Sequence, residues 1–155
     1  IVIMKKVLTV LMVGLFAFAG RAQSNEMELF QSMFNLEKKA ALADYLQLSD
    51  EEGKIFWNIY EEYSMERKEI MKQSFQIIKE YAEVFDNISD EQAQALMERS
   101  FKNRMDLEKL HQKYFKKISK AMGGTRGSQF AMFEAFVDTQ VRSELFANIP
   151  FIEKQ

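Results

Sequence analysis

Apolar side chains recur at intervals of three and four residues through most of the chain beyond residue 25. This period places apolar residues on one side of an α-helix. No stretch shows the sustained alternation of apolar and polar residues that is typical of a strand. The predicted fold class is therefore all-α, with Gly123-Gly124 ending the third helix and Pro150 ending the fourth. The four predicted helices cover about residues 26–46, 50–85, 90–122 and 128–148.

The second and third predicted helices are long, about 50 Å each at 1.5 Å per residue. Each has an apolar seam with the spacing of a coiled coil, which predicts an elongated antiparallel hairpin. Arg67 and Arg104 interrupt these seams, and Glu134 lies on the apolar side of the fourth helix. One interpretation is a buried pair between an arginine and Glu134, because a buried charge needs a partner. The other is that each arginine lays its stem on the seam and extends its guanidinium into water.

The N-terminal segment resembles a secretory signal peptide. Lys5 and Lys6 precede an apolar run over residues 7–19, and small residues follow up to Ala22. The run is shorter than the roughly 20 residues that a membrane-spanning helix needs. We therefore expect cleavage after Ala22, which removes residues 1–22, with cleavage after Ala19 as the alternative. No stable membrane insertion is expected afterwards. Residues 23–155 are then expected to form a single all-helical domain.

Composition excludes several kinds of chemistry. The chain has no cysteine, so it has no disulfide, thiolate metal site or cysteine nucleophile. The sequence Glu108-x-x-His111 has the spacing of di-iron bundles, but such sites need the motif twice and His111 is the only histidine. No phosphate-binding glycine loop or nucleophile elbow is present. We predict a protein that is not an enzyme and has no metal or other cofactor. Removal of Lys5, Lys6 and Arg21 with residues 1–22 would change the net charge from −2 to −5, which does not indicate nucleic-acid binding.

Charge is unevenly distributed between the two long helices. Acidic side chains predominate over residues 49–98, and basic ones over residues 99–126. Four lysines spaced by three and four residues form a stripe on the third helix. This stripe is either a solvated face that partly pairs with the acidic second helix, or a surface that attracts acidic or unfolded client proteins. The stripe consists of Lys109, Lys113, Lys116 and Lys120.

Methionine is abundant in these helices. Flexible methionine side chains suit surfaces that bind many partners, but they also fill irregular gaps in a core. Met65, Met71, Met97 and Met105 are predicted to be core residues.

Two copies of a short motif open the long helices. In each copy an apolar residue precedes a serine, and Glu or Gln follows three positions after that serine, as in a capping box. In the first copy the pair is Ser49 and Glu52, and in the second it is Ser89 and Gln92. We predict that both motifs start helices and contact no ligand.

The repeated motif resembles the paired Leu-Thr-x-x-Gln motifs of the Spy/CpxP family of periplasmic proteins. The first copy departs from that pattern because Glu52 replaces Gln. The segment after it, with Phe56 and Trp57, is also similar to exported helical proteins common in Bacteroidetes. The resemblance implies a helical protein in the periplasm of a Gram-negative bacterium that binds unfolded proteins without ATP. The lysine stripe would then contact clients.

Other functions remain open from the sequence. The chain could be an envelope stress or metal sensor, or an adaptor that regulates a membrane protein. It could also be a structural envelope protein. The expected partners are unfolded clients or an envelope protein, and the chain could form a homodimer.

Overall fold

The computed structural model describes the backbone of residues 25–152 and the side chains of residues 32–152. The signal peptide predicted for residues 1–22 lies outside this range. Residues 25–152 form helices and no strand, which confirms the all-α fold. A short 3-10 helix, Phe85–Asn87, lies between the second and third α-helices. The four α-helices are α1 (Asn25–Leu46), α2 (Asp50–Val84), α3 (Asp90–Met122) and α4 (Gly124–Asn148).

The last helix begins earlier than the sequence indicated. We expected a start near Ser128, but α4 begins at Gly124. The break after α3 is a single residue, Gly123, whose φ of 93° suits glycine. Its N–H donates to the carbonyl of Ser119 at 2.9 Å. Because Gly123 alone ends α3, Gly124 can be the first residue of α4.

The end of α1 has a left-handed residue that is not glycine. Gln47 has a φ of 43°, and its N–H donates to the carbonyl of Ala43 at 3.1 Å. Helices often end this way, but glycine is the usual residue because a Cβ makes this conformation unfavourable. Gln47 thus terminates α1 immediately before the first serine motif.

The described residues belong to two compact units. The first combines residues 25–49 with Met132–Phe151, which include most of α4. Tyr45 of α1 stacks on Phe133 of α4 with ring centroids 6.0 Å apart. The buried apolar side chains in this unit are Phe34, Ala41, Leu42, Leu46, Phe133 and Val137.

The second unit, Asp50–Ala131, contains the hairpin of α2 and α3 and the first turns of α4. Ion pairs join the two long helices in opposite order along the chain, which shows that they are antiparallel. In sequence order on α2, the pairs are Glu62–Lys117, Glu66–Lys113 and Glu80–Arg99.

The start of α4 closes one end of this hairpin. The Phe130 ring lies 5.0 Å from the Tyr63 ring and 6.5 Å from the Phe56 ring, between centroids. Gly127 is buried against α3, and a Cβ added there would lie 3.0 Å from the carbonyl oxygen of Phe115. The absence of a side chain at Gly127 therefore allows α3 and α4 to approach closely.

The rest of the hairpin is much less covered. Among residues 68–109, all of which the structure describes, only Asn103 is buried. Apolar seam residues in this part, such as Ile77, Val84 and Leu96, are half-buried. A pair of helices can bury only the side chains that point directly at each other. We call residues 68–109 the open part of the hairpin.

Candidate interaction surface

The charge asymmetry of the hairpin is partly explained by ion pairs between α2 and the two helices that follow it. Lys113 Nζ donates to both carboxylate oxygens of Glu66 at 2.7 Å, and Lys117 pairs with Glu62. Arg126, at the start of α4, donates from Nε to Glu52 at 2.9 Å and from a terminal nitrogen at 3.0 Å. The acidic side chains of α2 thus neutralise part of the basic half of α3.

A tyrosine connects this ion pair to the core. The hydroxyl of Tyr114 donates to Glu66 at 2.7 Å. The hydrogen bonds from Lys113 and Tyr114 hold the pKa of Glu66 below its usual value. Burial and the hydrogen bond to Glu66 raise the pKa of Tyr114. Both groups therefore keep their usual charge states at neutral pH, carboxylate and neutral phenol.

The single histidine lies in the hairpin core. His111 Nε2 is 3.0 Å from the hydroxyl of Tyr63, and both side chains are buried. Glu108, one turn earlier, is exposed and accepts a hydrogen bond from Gln112 at 3.3 Å. The Glu-x-x-His spacing therefore does not bring the two side chains to a common point. Among the described residues, no three histidine or carboxylate side chains are grouped as metal ligands.

The lysine stripe divides into paired and unpaired members. Lys113 forms the ion pair with Glu66, and Lys109 lies 3.5 Å from Asp106 on its own helix. Lys116 and Lys120 are exposed, and neither forms an ion pair with a described residue. The expected pairing with α2 thus accounts for one of the four, and Lys116 and Lys120 remain available to a partner.

An apolar stripe lies on α3 in the open part of the hairpin. The exposed fractions of Met97, Phe101 and Met105 are 49%, 51% and 55%. Their spacing of four residues places them on one side of the helix. The guanidinium of Arg104 lies 4.9 Å from the centre of the Phe101 ring. Exposed apolar side chains in a row are uncommon on a surface without a partner. We call Met97, Phe101 and Met105 the α3 stripe.

This stripe corrects the prediction about methionine. Met97 and Met105 were predicted to be core residues but are exposed, as is Met65 on α2 with 67% of its surface accessible. Met71 is half-buried. The side of α3 that carries Met97 and Met105 is therefore not the side that packs in the hairpin.

One buried position of α3 differs from the predicted seam. The sequence indicated Arg104 on the seam, whereas the buried residue is Asn103. Asn103 donates to the carbonyl of Ile70 at 2.9 Å and accepts from the hydroxyl of Ser74. Arg104 lies over Phe101 instead. Because neither Asn103 nor Arg104 is apolar, the period of apolar residues could not show which of the two is buried.

Glu134, for which an arginine partner was predicted, forms an ion pair with a lysine. Glu134 is fully buried and accepts from Lys38 Nζ at 2.6 Å. Arg67 is buried, so of the two interpretations it does not follow the one in which the guanidinium extends into water. Its pairing with Glu134 stays a prediction. Lys38 was not identified from the sequence, although it falls on the same side of α1 as the buried Phe34 and Leu42.

The second serine motif forms the predicted capping box. The amide of Gln92 donates to Ser89 Oγ at 3.2 Å, and the amide of Ser89 donates to Gln92 Oε1 at 3.0 Å. In the first motif the carboxylate of Glu52 accepts from Arg126. The cap at Ser49 stays a prediction. After it, Phe56 is buried and Trp57 packs edge-on against it with centroids 5.0 Å apart.

Comparison with known proteins does not assign the chain. No family model, curated protein or solved structure matches it significantly. None of the helices that the structure describes has the length and apolarity required to cross a bilayer.

Proposed function

We propose that this chain is an exported, non-enzymatic protein of Spy/CpxP type that binds unfolded or aggregating proteins without ATP. The observation that carries the proposal is the α3 stripe, an exposed apolar row in the open part of the hairpin. The signal-like N-terminal segment and the repeated serine motif support export to the periplasm of a Gram-negative bacterium.

The surface combines two forces suited to unfolded chains. Met97 and Met105 offer flexible, polarisable side chains that adapt to different apolar segments. Lys116 and Lys120, further along the same helix, attract acidic chains over distances up to about 10 Å at 0.1 M salt. Weak contacts of both kinds would hold a client transiently and prevent its exposed apolar segments from meeting those of another client.

An aggregation assay tests this function. The purified chain is mixed with insulin whose disulfides are reduced by dithiothreitol, and light scattering is followed. The reductant leaves this chain unchanged because it has no cysteine. We expect suppression of scattering at low salt and weaker suppression at high salt. No suppression at any molar excess would contradict the proposal.

Matched variants locate the binding surface. Replacing the α3 stripe in M97Q/F101Q/M105Q should raise the concentration needed for suppression several-fold. Met65→Gln is the control, because Met65 is even more exposed than the stripe residues but lies on α2. K116Q/K120Q should reduce the salt dependence of suppression, because it removes the unpaired cations. Equal activity of the stripe variant and the control would place client binding elsewhere.

A further inference from the structure

All the sulfur atoms of this chain belong to methionine. The chain contains 10 methionines and no cysteine, so no thiol competes for an oxidant that reacts with sulfur. Oxidation of methionine to its sulfoxide adds one oxygen atom and converts a flexible apolar side chain into a polar one. The effect on the protein therefore depends on where each methionine lies.

The methionines whose side chains the structure describes fall into two groups by exposure. Met71 and Met122 are half-buried. Because an oxidant must reach the sulfur atom, the exposed methionines should react before these two. The exposed ones are Met33, Met65, Met97, Met105 and Met132.

The two methionines of the α3 stripe lie on either side of its aromatic residue. Met97 and Met105 are each four residues from Phe101, on one side of the helix. Sulfoxides at both positions leave Phe101 as the only apolar side chain of the α3 stripe. The sulfoxide oxygens accept hydrogen bonds, and Arg104 brings N–H donors to the middle of the row, with its guanidinium 4.9 Å from the centre of the Phe101 ring.

The α3 stripe lies away from the contacts that join α3 to α2. Asn103 is buried and forms hydrogen bonds with Ile70 and Ser74 of α2. At about 100° per residue, Asn103 lies about 200° from Phe101 around the helix. Oxidation of the stripe therefore places its new polar groups in water rather than between the helices, and the hairpin should stay folded.

We propose that Met97 and Met105 form a redox-sensitive pair, whose oxidation to sulfoxides by a peroxide reversibly converts the α3 stripe from apolar to polar. In this step a sulfur lone pair attacks one oxygen of hydrogen peroxide, and the O–O bond breaks. The sulfur gains that oxygen and is oxidised by two electrons, while the other oxygen leaves as water with both protons. Methionine sulfoxide reductases reverse the step with a thiol reductant, which becomes a disulfide as the oxygen leaves as water.

The effect on client binding rests on the proposed function, whereas the oxidation site itself does not. Sulfoxides at Met97 and Met105 lose the apolar contacts that these side chains offer to a client. Lys116 and Lys120 are unchanged by the peroxide. The oxidised chain should therefore bind clients several-fold more weakly, and mainly through its lysines.

Peptide mass spectrometry tests the oxidation site. The folded chain is treated with hydrogen peroxide for increasing times, catalase removes the peroxide, and the sulfoxide fraction at each methionine is measured. Met97 and Met105 should be oxidised several-fold faster than Met71 and Met122, and the far-ultraviolet circular dichroism should keep its helical signal. Oxidation of the pair no faster than that of Met71, or loss of helix as the pair is oxidised, would overturn the inference.

Matched variants separate the stripe from the other exposed methionines. M97L/M105L removes the stripe sulfurs but keeps the stripe apolar, because leucine and methionine are similar in volume. M65L/M132L is the control, which keeps the stripe sulfurs. After peroxide treatment the unaltered chain and the control should suppress insulin aggregation several-fold less well, and the reductases should restore suppression. M97L/M105L should keep its suppression, and an equal loss in this variant would overturn the inference.

A polar replacement reproduces the oxidised state without an oxidant. In M97Q/M105Q an uncharged polar amide takes the place of each sulfoxide. This variant should suppress aggregation as weakly as the oxidised chain, and peroxide should weaken it little further. Suppression equal to that of the unaltered chain would show that the polarity of Met97 and Met105 does not control client binding.

The proposed function and the redox-sensitive pair fail in different ways. Suppression that persists unchanged when Met97 and Met105 are oxidised retains the proposed function and overturns the redox switch. No suppression before oxidation contradicts the proposed function, and retention on a hydrophobic-interaction column then reports the polarity of the α3 stripe. Peroxide should reduce the retention of M65L/M132L more than that of M65L/M132L/M97L/M105L. Equal changes in these two variants would overturn the inference independently of any client.

Discussion

Gly127 shows how one residue controls the approach of two helices. Its missing side chain lets α4 start directly against α3, and a Cβ there would lie 2.0 Å from Ser119 Oγ. Gly53 in α2 is the opposite case, because its Cβ would meet nothing closer than Trp57 at 3.7 Å. Both glycines lie within helices, but only at Gly127 do neighbouring atoms leave no room for a side chain.

Replacing Gly127 by alanine should destabilise the protein. The added methyl group overlaps Ser119 and approaches the backbone at Phe115, so we expect a loss of about 1–3 kcal/mol in the free energy of unfolding. The matched change Gly53→Ala meets no obstacle and should stabilise α2 by about 0.5–1 kcal/mol. Urea unfolding followed by circular dichroism measures both. A neutral Gly127→Ala would contradict the close approach.

At the scale of elements, the hairpin is held by a short aromatic core at one end and by ion pairs along its sides. The core is where α4 adds a third helix, through Phe130. Beyond it the two long helices bury little, and contacts such as Glu80–Arg99 lie at the surface. Exposed pairs of this kind each contribute about 0–1 kcal/mol. The open part should therefore be the less stable part of the hairpin.

The pair Glu66–Lys113 makes a testable contribution to acid stability. Because the pKa of Glu66 is lower in the folded than in the unfolded chain, its stabilising effect is present above the unfolded pKa. It is lost as the pH falls through the folded pKa. Glu66→Gln should therefore reduce the loss of stability between about pH 5 and pH 3. Since Glu66 is 45% exposed, the effect should stay below about 1 kcal/mol.

Melting temperatures measured between about pH 5 and pH 3 test the expected effect of Glu66→Gln. Glu69→Gln is the control, since Glu69 is an exposed glutamate on the same helix. If both variants lose stability with acid as steeply as the unaltered chain, the pair with Lys113 does not act as described.

At the scale of the molecule, a buried ion pair joins helices from opposite ends of the chain. Lys38 of α1 and Glu134 of α4 are 96 positions apart and almost completely buried. Removing one charge of a buried pair leaves the other in an apolar surrounding, which is strongly unfavourable. Replacing both by apolar side chains of similar size removes that penalty.

Lys38→Met should accordingly lower the free energy of unfolding by about 3 kcal/mol. The double variant K38M/E134L should recover most of this loss. Lys72→Met, at an exposed position on α2, should change stability by less than about 0.5 kcal/mol. Thermal unfolding of the three variants measures these effects. A double variant less stable than Lys38→Met would show that Glu134 serves more than this pair.

The sequence by itself determined the elements of this protein. The three- and four-residue period gave the helices, and α3 has the predicted bounds, Asp90–Met122. Ser89 and Gln92 form their capping box because a cap involves only neighbouring residues, so its geometry is contained in a few consecutive letters. The antiparallel hairpin followed from two long helices with matching seams.

Only the tertiary structure decided which sides of these helices are covered. Periodicity identified the seam of α3 but not how fully each residue on it or beside it is covered. This is why Asn103 rather than Arg104 is buried, and why the α3 stripe remains exposed. The pair between Lys38 and Glu134 also depended on tertiary structure, because the two residues are 96 positions apart in the sequence. Which residues are buried depends on how the helices pack together, and this cannot be predicted from the apolar period of one helix.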